Sequence, residues 1–218
     1  MVVYLPAMTS DYVPLTELER DALTELVNIG VSRAAAGLRK MVGDEVLLSV
    51  PSVEVVAHKS AVTLIGERES DDLVAVRQDF AGPFSGRALL IFPRAKSLDL
   101  VRAVAGADMK EKELEEMEQA ALSEIGNVIL TCCLSTMANM LKQSFTMSLP
   151  EVLLGNGPTL LEITSPSEHS LVIFLYINFL VYNRNIRGYI AMLMDVPSLM
   201  SVKLLVSEFI TGVMDDSH

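Results

Sequence analysis

The chain carries one sparse pattern twice, 99 residues apart. Glu25, Asn28 and Pro51 recur as Glu124, Asn127 and Pro150 with identical internal spacing and no gap between the copies. Laying residues 15–51 on 114–150 gives ten identities in 37 positions, among them Leu15/Leu114, Glu17/Glu116, Glu19/Glu118, Ala22/Ala121, Leu23/Leu122, Met41/Met140 and Ser49/Ser148. Unrelated amphipathic helices share an apolar period, but they rarely share a polar Glu-x-x-Asn and a proline at a fixed distance. The pattern reads as an internal duplication. Such a chain folds as two similar units packed against each other, which points to pseudo-twofold symmetry.

A chain of 218 residues suits one large domain or two fused half-domains of about 100 residues. Half of the residues are apolar, ample for a buried core. The net charge of −11, with 17 basic residues, argues against nonspecific binding of nucleic acid or of an anionic membrane, since both need clustered Lys and Arg. Met1 to Pro14 shows no basic region followed by an apolar run, so no signal peptide is expected. The greasiest stretch, Leu171–Tyr182, is shorter than the roughly 18–20 residues of a membrane helix, and its Val, Ile, Phe and Tyr content favours a buried strand. The expectation is a soluble, cytoplasmic protein without membrane insertion. Its two cysteines, Cys132 and Cys133, are adjacent in a helical stretch and point about 100° apart, which disfavours a disulfide between them.

Apolar spacing predicts a helix over Leu15–Met41, capped by Thr16 with Glu19 as capping-box partner and stopped by Gly43. A strand follows at Glu45–Val50, and Pro51 bars a central ladder position beyond it. Further strands are expected at Val53–His58, Ala61–Gly66, Leu73–Phe80 and Gly86–Phe92, then a helix at Lys96–Ala105. Gly106–Lys110 forms the join. The second half repeats the order: a long helix at Glu111–Lys142, a strand at Phe145–Leu149 ended by Pro150, strands near Thr159–Ile163, Ser170–Tyr182 and Arg187–Met194, and a last helix from Pro197 to Phe209. The expected fold is α+β: a single domain over 1–218 with half-repeats at about 15–105 and 111–212, its long helices packed on a continuous, mostly antiparallel sheet.

Positions i and i+3 share a helix face, so Glu25 points with Asn28 and Glu124 with Asn127. Asp21 extends the first face by a turn, where the second copy has Ala120. A carboxylate beside a carboxamide offers an acceptor and a mixed donor–acceptor on a rigid scaffold, suited to pairing with a cation and to orienting a water. Nucleophilic catalysis fits poorly. Neither copy pairs Ser or Cys with a His, and none of His58, His169 and His218 recurs. A Glu-x-x-Asn on a helix is also common as a merely solvated face, and shared ancestry alone preserves two copies. The pattern by itself leaves both readings open.

The stretch Asp21-Ala-Leu-Thr-Glu25-Leu-Val-Asn28-Ile-Gly30, with Pro51 downstream, closely resembles the CheC/CheX/FliY phosphatase family, and Glu124-Ile-Gly126-Asn127 resembles that family's Glu-Ile-Gly-Asn core. The resemblance covers nearly the whole chain and lies closest to the duplicated, two-motif CheC form. Departures are Val27 in place of a common Gly, Val31-Ser32-Arg33 after the first motif, and Ala120. The resemblance implies a phosphatase acting on the phospho-aspartate of a CheY-like response regulator in chemotaxis. Asn28 and Asn127 would orient the attacking water, and Glu25 and Glu124 would dock the receiver's lysine. The receiver would supply its own Mg²⁺, leaving this chain without an intrinsic cofactor or metal. Pro51 and Pro150 would shape the chain beside each helix.

A rival reading keeps the docking and drops the hydrolysis: a CheC-like adaptor that binds receiver domains or a CheD-like deamidase. Only the phosphatase requires the asparagines. A thiol enzyme built on Cys132–Cys133 is disfavoured, because no His or basic residue lies nearby in sequence to lower a thiol pKa; small core packing suits the pair better. Met117, Met137 and Met140 fit core packing by their helical spacing.

Overall fold

Thr16 opens the first helix by accepting a hydrogen bond from the Glu19 backbone N–H at 3.2 Å, while Thr16 N–H donates to Glu19 Oε2 at 2.7 Å. Gly43 closes it in the left-handed region (φ 74°), its N–H bonding Arg39 O at 2.9 Å. The structure is a computed structural model that describes residues 15–43, 45–68, 72–105, 110–164, 171–181 and 184–215. Its elements run α1 (Glu17–Val42), β1 (Val46–Ser49), β2 (Val53–Ala57), α2 (His58–Arg68), β3 (Leu73–Ala81), β4 (Gly86–Pro93) and α3 (Arg94–Ala105). The same order then recurs as α4 (Glu111–Met140), β5 (Thr146–Met147), β6 (Glu151–Gly155), α5 (Gly157–Thr164), β7 (Leu171–Val181), β8 (Arg184–Met194) and α6 (Val196–Asp215). Most of the join expected at Gly106–Lys110, with the outer histidines His169 and His218, lies outside the described residues.

Two expected strands are helices. Ala61–Gly66 lies in α2 and Thr159–Ile163 in α5. Both are short apolar runs, for which periodicity does not separate a strand from a helical segment. Their partners decide. Ala61 and Ile65, one turn apart, are buried with Leu160 and Leu161 in a second core. The two helices approach closely: a Cβ on Gly157 would sit 2.5 Å from Ile65 Cγ2. The strand β6 has no counterpart among the expected strands.

The sheet order is β1-β7-β8-β4-β3-β5, with β2 continuing β1 along β7 and β6 continuing β5 along β3, every pairing antiparallel. The two outer strands therefore cross over. The edge strands of the first half pair with β7 of the second, those of the second half pair with β3 of the first, and β4 meets β8 in the middle. Each edge breaks at its proline, Pro51 or Pro150, where a ladder donor is missing.

Both faces of the sheet are covered. On one, α1 and α4 pack with α3 and α6 over Val74, Val76, Phe80, Ile173, Leu175 and Ile177; on the other, α2 and α5 cover Leu73, Ala75, Val172 and Phe174. This explains the unbroken apolar run of β7, which has no solvated face to alternate with. Residues Glu116–Met140 of α4 and the whole of α6 are long and apolar enough to cross a membrane by length and composition. In α4 the apolar positions Leu122, Ile125, Ile129 and Leu130 are buried in the main core.

Candidate functional site

The two long helices cross in opposite directions at small residues. A Cβ on Gly30 would lie 2.8 Å from Cys133 Cα, and one on Gly37 would lie 3.2 Å from Val128 Cγ1, so α1 and α4 touch almost backbone to backbone. Arg33 Nη1 reaches across to Thr136 Oγ1 at 3.2 Å. This register sets Asn28 and Asn127 about 12–15 Å apart along the helix axes, at 1.5 Å per residue. The repeated polar pairs thus form two separate sites on neighbouring helices.

At the first site Asp21 and Glu25 are exposed and Asn28 is half-buried. Among the described residues neither carboxylate has an ion-pair partner within 4 Å. The Asn28 carboxamide clamps the backbone of Val50: Nδ2 donates to Val50 O at 3.0 Å, and Val50 N–H donates to Oδ1 at 2.9 Å. Because the backbone groups have fixed polarity, the clamp also settles which end of the amide is which. Val50 is buried, stands between β1 and β2, and precedes Pro51. The proline ends the ladder, and the two backbone groups of Val50 find their partner in the helix. One hydrogen on Nδ2 and one lone pair on Oδ1 remain.

The second site has the same residue types and a different network. Glu124 is exposed and Asn127 half-buried, but Asn127 does not clamp Leu149, the counterpart of Val50. Gln78 of β3 intervenes. Its Nε2 donates to Asn127 Oδ1 and to Ser148 O, both at 3.1 Å, and Thr131 Oγ1 donates to the same Asn127 oxygen at 3.2 Å. The Ser148 carbonyl can only accept, so it fixes the Gln78 amide, and the second hydrogen of that amide fixes the Asn127 oxygen. Having lost its carbonyl to Gln78, Ser148 meets Asp79 N–H through its hydroxyl at 2.9 Å, and β5 stops at Met147 where β1 runs on to Ser49 opposite Asn178. Leu149 is turned out to 88% exposure, against 2% for Val50.

Strand register identifies what stands in place of Gln78 at the first site. Val152 pairs with Val76 and Val53 pairs with Leu175, so Gln78 corresponds to Ile177. Both are 1% exposed. Gln78 is the residue that sequence reading missed. Period-2 alternation along Val74, Val76, Gln78 and Phe80 makes it the one polar side chain on the inward face of that strand, a signal present in the sequence. Its Oε1 is buried without a hydrogen-bond partner.

Other repeated residues are structural. Glu19 accepts from Ser207 Oγ of α6 at 2.8 Å and lies 3.7 Å from Lys203 Nζ; Glu118 accepts from Ser97 Oγ of α3 at 2.7 Å. Burial pushes the Glu19 carboxyl upward, but the Thr16 and Ser207 hydrogen bonds and the Lys203 charge together hold it below its usual value. Both cysteines are free. Burial, with the neighbouring Cys132, pushes Cys133 up to about 12. Burial also raises Cys132, although Arg33 opposes it, so neither is an activated thiol. Among the described residues no group of three or more His, Cys, Asp or Glu side chains comes together as a metal site.

The family described as Chemotaxis phosphatase CheX matches residues 74–175, a stretch that holds Gln78, Glu124, Asn127 and Pro150 and leaves the first site outside it. CheY-P phosphatase CheC of Bacillus subtilis (strain 168) is 22% identical over 192 residues, covering 84% of this chain and 91% of that protein. The flagellar motor switch phosphatase FliY of the same organism is 26% identical over 140 residues, which is 63% of this chain and only 36% of the relative's length. The crystal structure of Thermotoga maritima FliY superimposes with a TM-score of 0.73 at 16% identity, covering 90% of this chain and all of that one. The family match over residues 74–175, the two relatives and the shared fold agree: the chain is similar to the CheC/CheX/FliY phosphatases.

Proposed function

We propose that the protein accelerates hydrolysis of the phospho-aspartate of a CheY-like receiver in chemotactic signalling, with the first site doing the work. The names of its relatives support the reaction class. The observation that carries the residue assignment is the Asn28 clamp: it fixes the amide on a rigid helix and spares one acceptor and one donor at a half-exposed position.

In this reading Glu25 pairs with the receiver's active-site lysine, and Asp21 extends the acidic face that meets the receiver. Asn28 Oδ1 accepts a hydrogen from the attacking water, and Nδ2 donates to an oxygen of the phosphoryl group. Water oxygen bonds to phosphorus, the bond between phosphorus and the aspartyl oxygen breaks, and free carboxylate and inorganic phosphate leave. Phosphoryl transfer asks for positioning and charge stabilisation more than for a protein nucleophile, and a neutral amide does not repel the transferring group. The Mg²⁺ belongs to the receiver. The protein acts in the cytoplasm, where a receiver is found.

Decay of phosphorylated receiver, followed with wild type, Asn28→Ala, Asn127→Ala and the double variant, tests the reading. Each variant's fold is checked by thermal melting. The double variant should leave only the receiver's own decay rate; hydrolysis at the wild-type rate would rule the phosphatase out. The adaptor reading, with a receiver or a CheD-like deamidase as cargo, requires wild type to bind the receiver without accelerating its decay.

A further inference from the structure

We propose that Gln78 is a positioning residue that makes the second site a donor-only site, able to hold an anionic oxygen but not to accept a hydrogen from the attacking water. The inference rests on the phosphatase reading and adds a residue to it. A carboxamide oxygen has two lone pairs. Both of those on Asn127 Oδ1 are taken, one by Gln78 Nε2 at 3.1 Å and one by Thr131 Oγ1 at 3.2 Å. What Asn127 still offers is the pair of hydrogens on Nδ2, which have no partner among the described residues. Asn28 keeps one lone pair and one hydrogen.

The same glutamine explains the neighbourhood. By taking the Ser148 carbonyl it removes a ladder bond, stops β5 early and leaves Leu149 exposed beside the site. Its counterpart Ile177 cannot do any of this, and there the helix asparagine reaches the backbone before the proline directly. Gln78 is 1% exposed with an unpaired Oε1, an uncommon cost for a strand interior that an isoleucine would avoid. The arrangement fits a second site that grips the phosphorylated receiver while the first hydrolyses.

The test places Gln78→Ile in the Asn28→Ala background. With Gln78 gone, Asn127 is free to clamp Leu149 as Asn28 clamps Val50, and phospho-receiver decay should rise about tenfold over Asn28→Ala alone, the scale set by restoring an oriented group. Where Gln78→Ile does not fold, Thr131→Val in the same background frees one lone pair without touching the sheet and should give a gain of about threefold, read on the same scale. The Asn127 side-chain amide, followed by NMR hydrogen exchange in Gln78→Ile, should become protected. No gain from a folded variant that still binds a receiver loaded with beryllofluoride overturns the inference. So does a loss, or an Asn28→Ala protein that already hydrolyses at the wild-type rate. If wild type itself does not accelerate decay, the phosphatase reading falls alone; the Asn127 amide then decides for Gln78, with protection supporting the rearrangement and unchanged exchange overturning it.

Discussion

The two halves of this molecule place the same three residues, Glu, Asn and Pro, in the same spacing and produce different sites. In the first, Asn28 binds the backbone of a buried Val50 through both ends of its amide. In the second, Gln78 stands between helix and backbone, Asn127 is held by its oxygen alone, and Leu149 faces solvent. One strand residue, Gln78 against Ile177, separates them. A repeated motif therefore does not imply a repeated site, because the hydrogen bonds that orient its side chains come from outside the motif.

The sharpest break of that comparison is activity. Asn28→Ala should lower phospho-receiver hydrolysis by about 10²-fold, the scale of losing a positioned group, while Asn127→Ala should change it by no more than about threefold. Equal losses would show that the difference in hydrogen bonding does not matter to the reaction.

Stability should follow the same ordering. Asn28→Ala leaves the N–H and C=O of buried Val50 unpaired, at about 1–3 kcal/mol for each orphaned group, so denaturant unfolding should report a loss of about 2–6 kcal/mol. Asn127→Ala leaves the Ser148 carbonyl still bonded to Gln78 and should cost about 1 kcal/mol.

A smaller contrast lies in the repeated glutamates. The carboxyl of Glu19 is held low in the folded state, so its ties to Thr16, Ser207 and Lys203 contribute stability that is fully present above the ordinary carboxylate range. That contribution is lost as pH falls through the depressed value. Glu19→Gln should lower the melting temperature at pH 7 by a few degrees, an effect of about 1 kcal/mol, and the gap to wild type should close as pH falls through the depressed Glu19 value, beneath the ordinary carboxylate range. A gap that stays constant with pH would remove the charge from this account.

The smallest effect is expected at the thiols. Cys133 is buried against Gly30 at the helix crossing, and burial raises both thiols. Iodoacetamide at pH 7 should leave Cys133 of the folded protein unmodified and hydrolysis unchanged, as mass spectrometry and the decay assay would report.

The long helices were legible because their signals are local. Thr16, Glu19 and Gly43 cap α1 within a few residues of each other, and the 3.6-residue apolar period of α1 and α4 is written along each segment. The strands β3, β4, β7 and β8 were legible for the same reason. The helices α2 and α5 were not, because runs of five or six mostly apolar residues carry too little period, and what made them helical was each other. Half of the site was legible too: the shared face of Glu25 and Asn28 follows from helix geometry alone. The identities at Glu19 and Glu118 belonged to the repeat in sequence, yet their partners, Ser207 and Ser97, are on other helices and turn them into structural ties.

The sequence by itself determined that this protein has two long helices, the first of them capped, each showing a carboxylate and a carboxamide one turn apart, with a proline at a fixed distance. Tertiary structure alone decided what each carboxamide binds. Val50 is 22 residues from Asn28, and Gln78 is 49 residues from Asn127. The strand pairings that bring them together cross between the halves of the chain. Periodicity reports which face a side chain is on. Only the packed sheet supplies the backbone and the glutamine that complete its hydrogen bonds, and with them the lone pairs and protons left for chemistry.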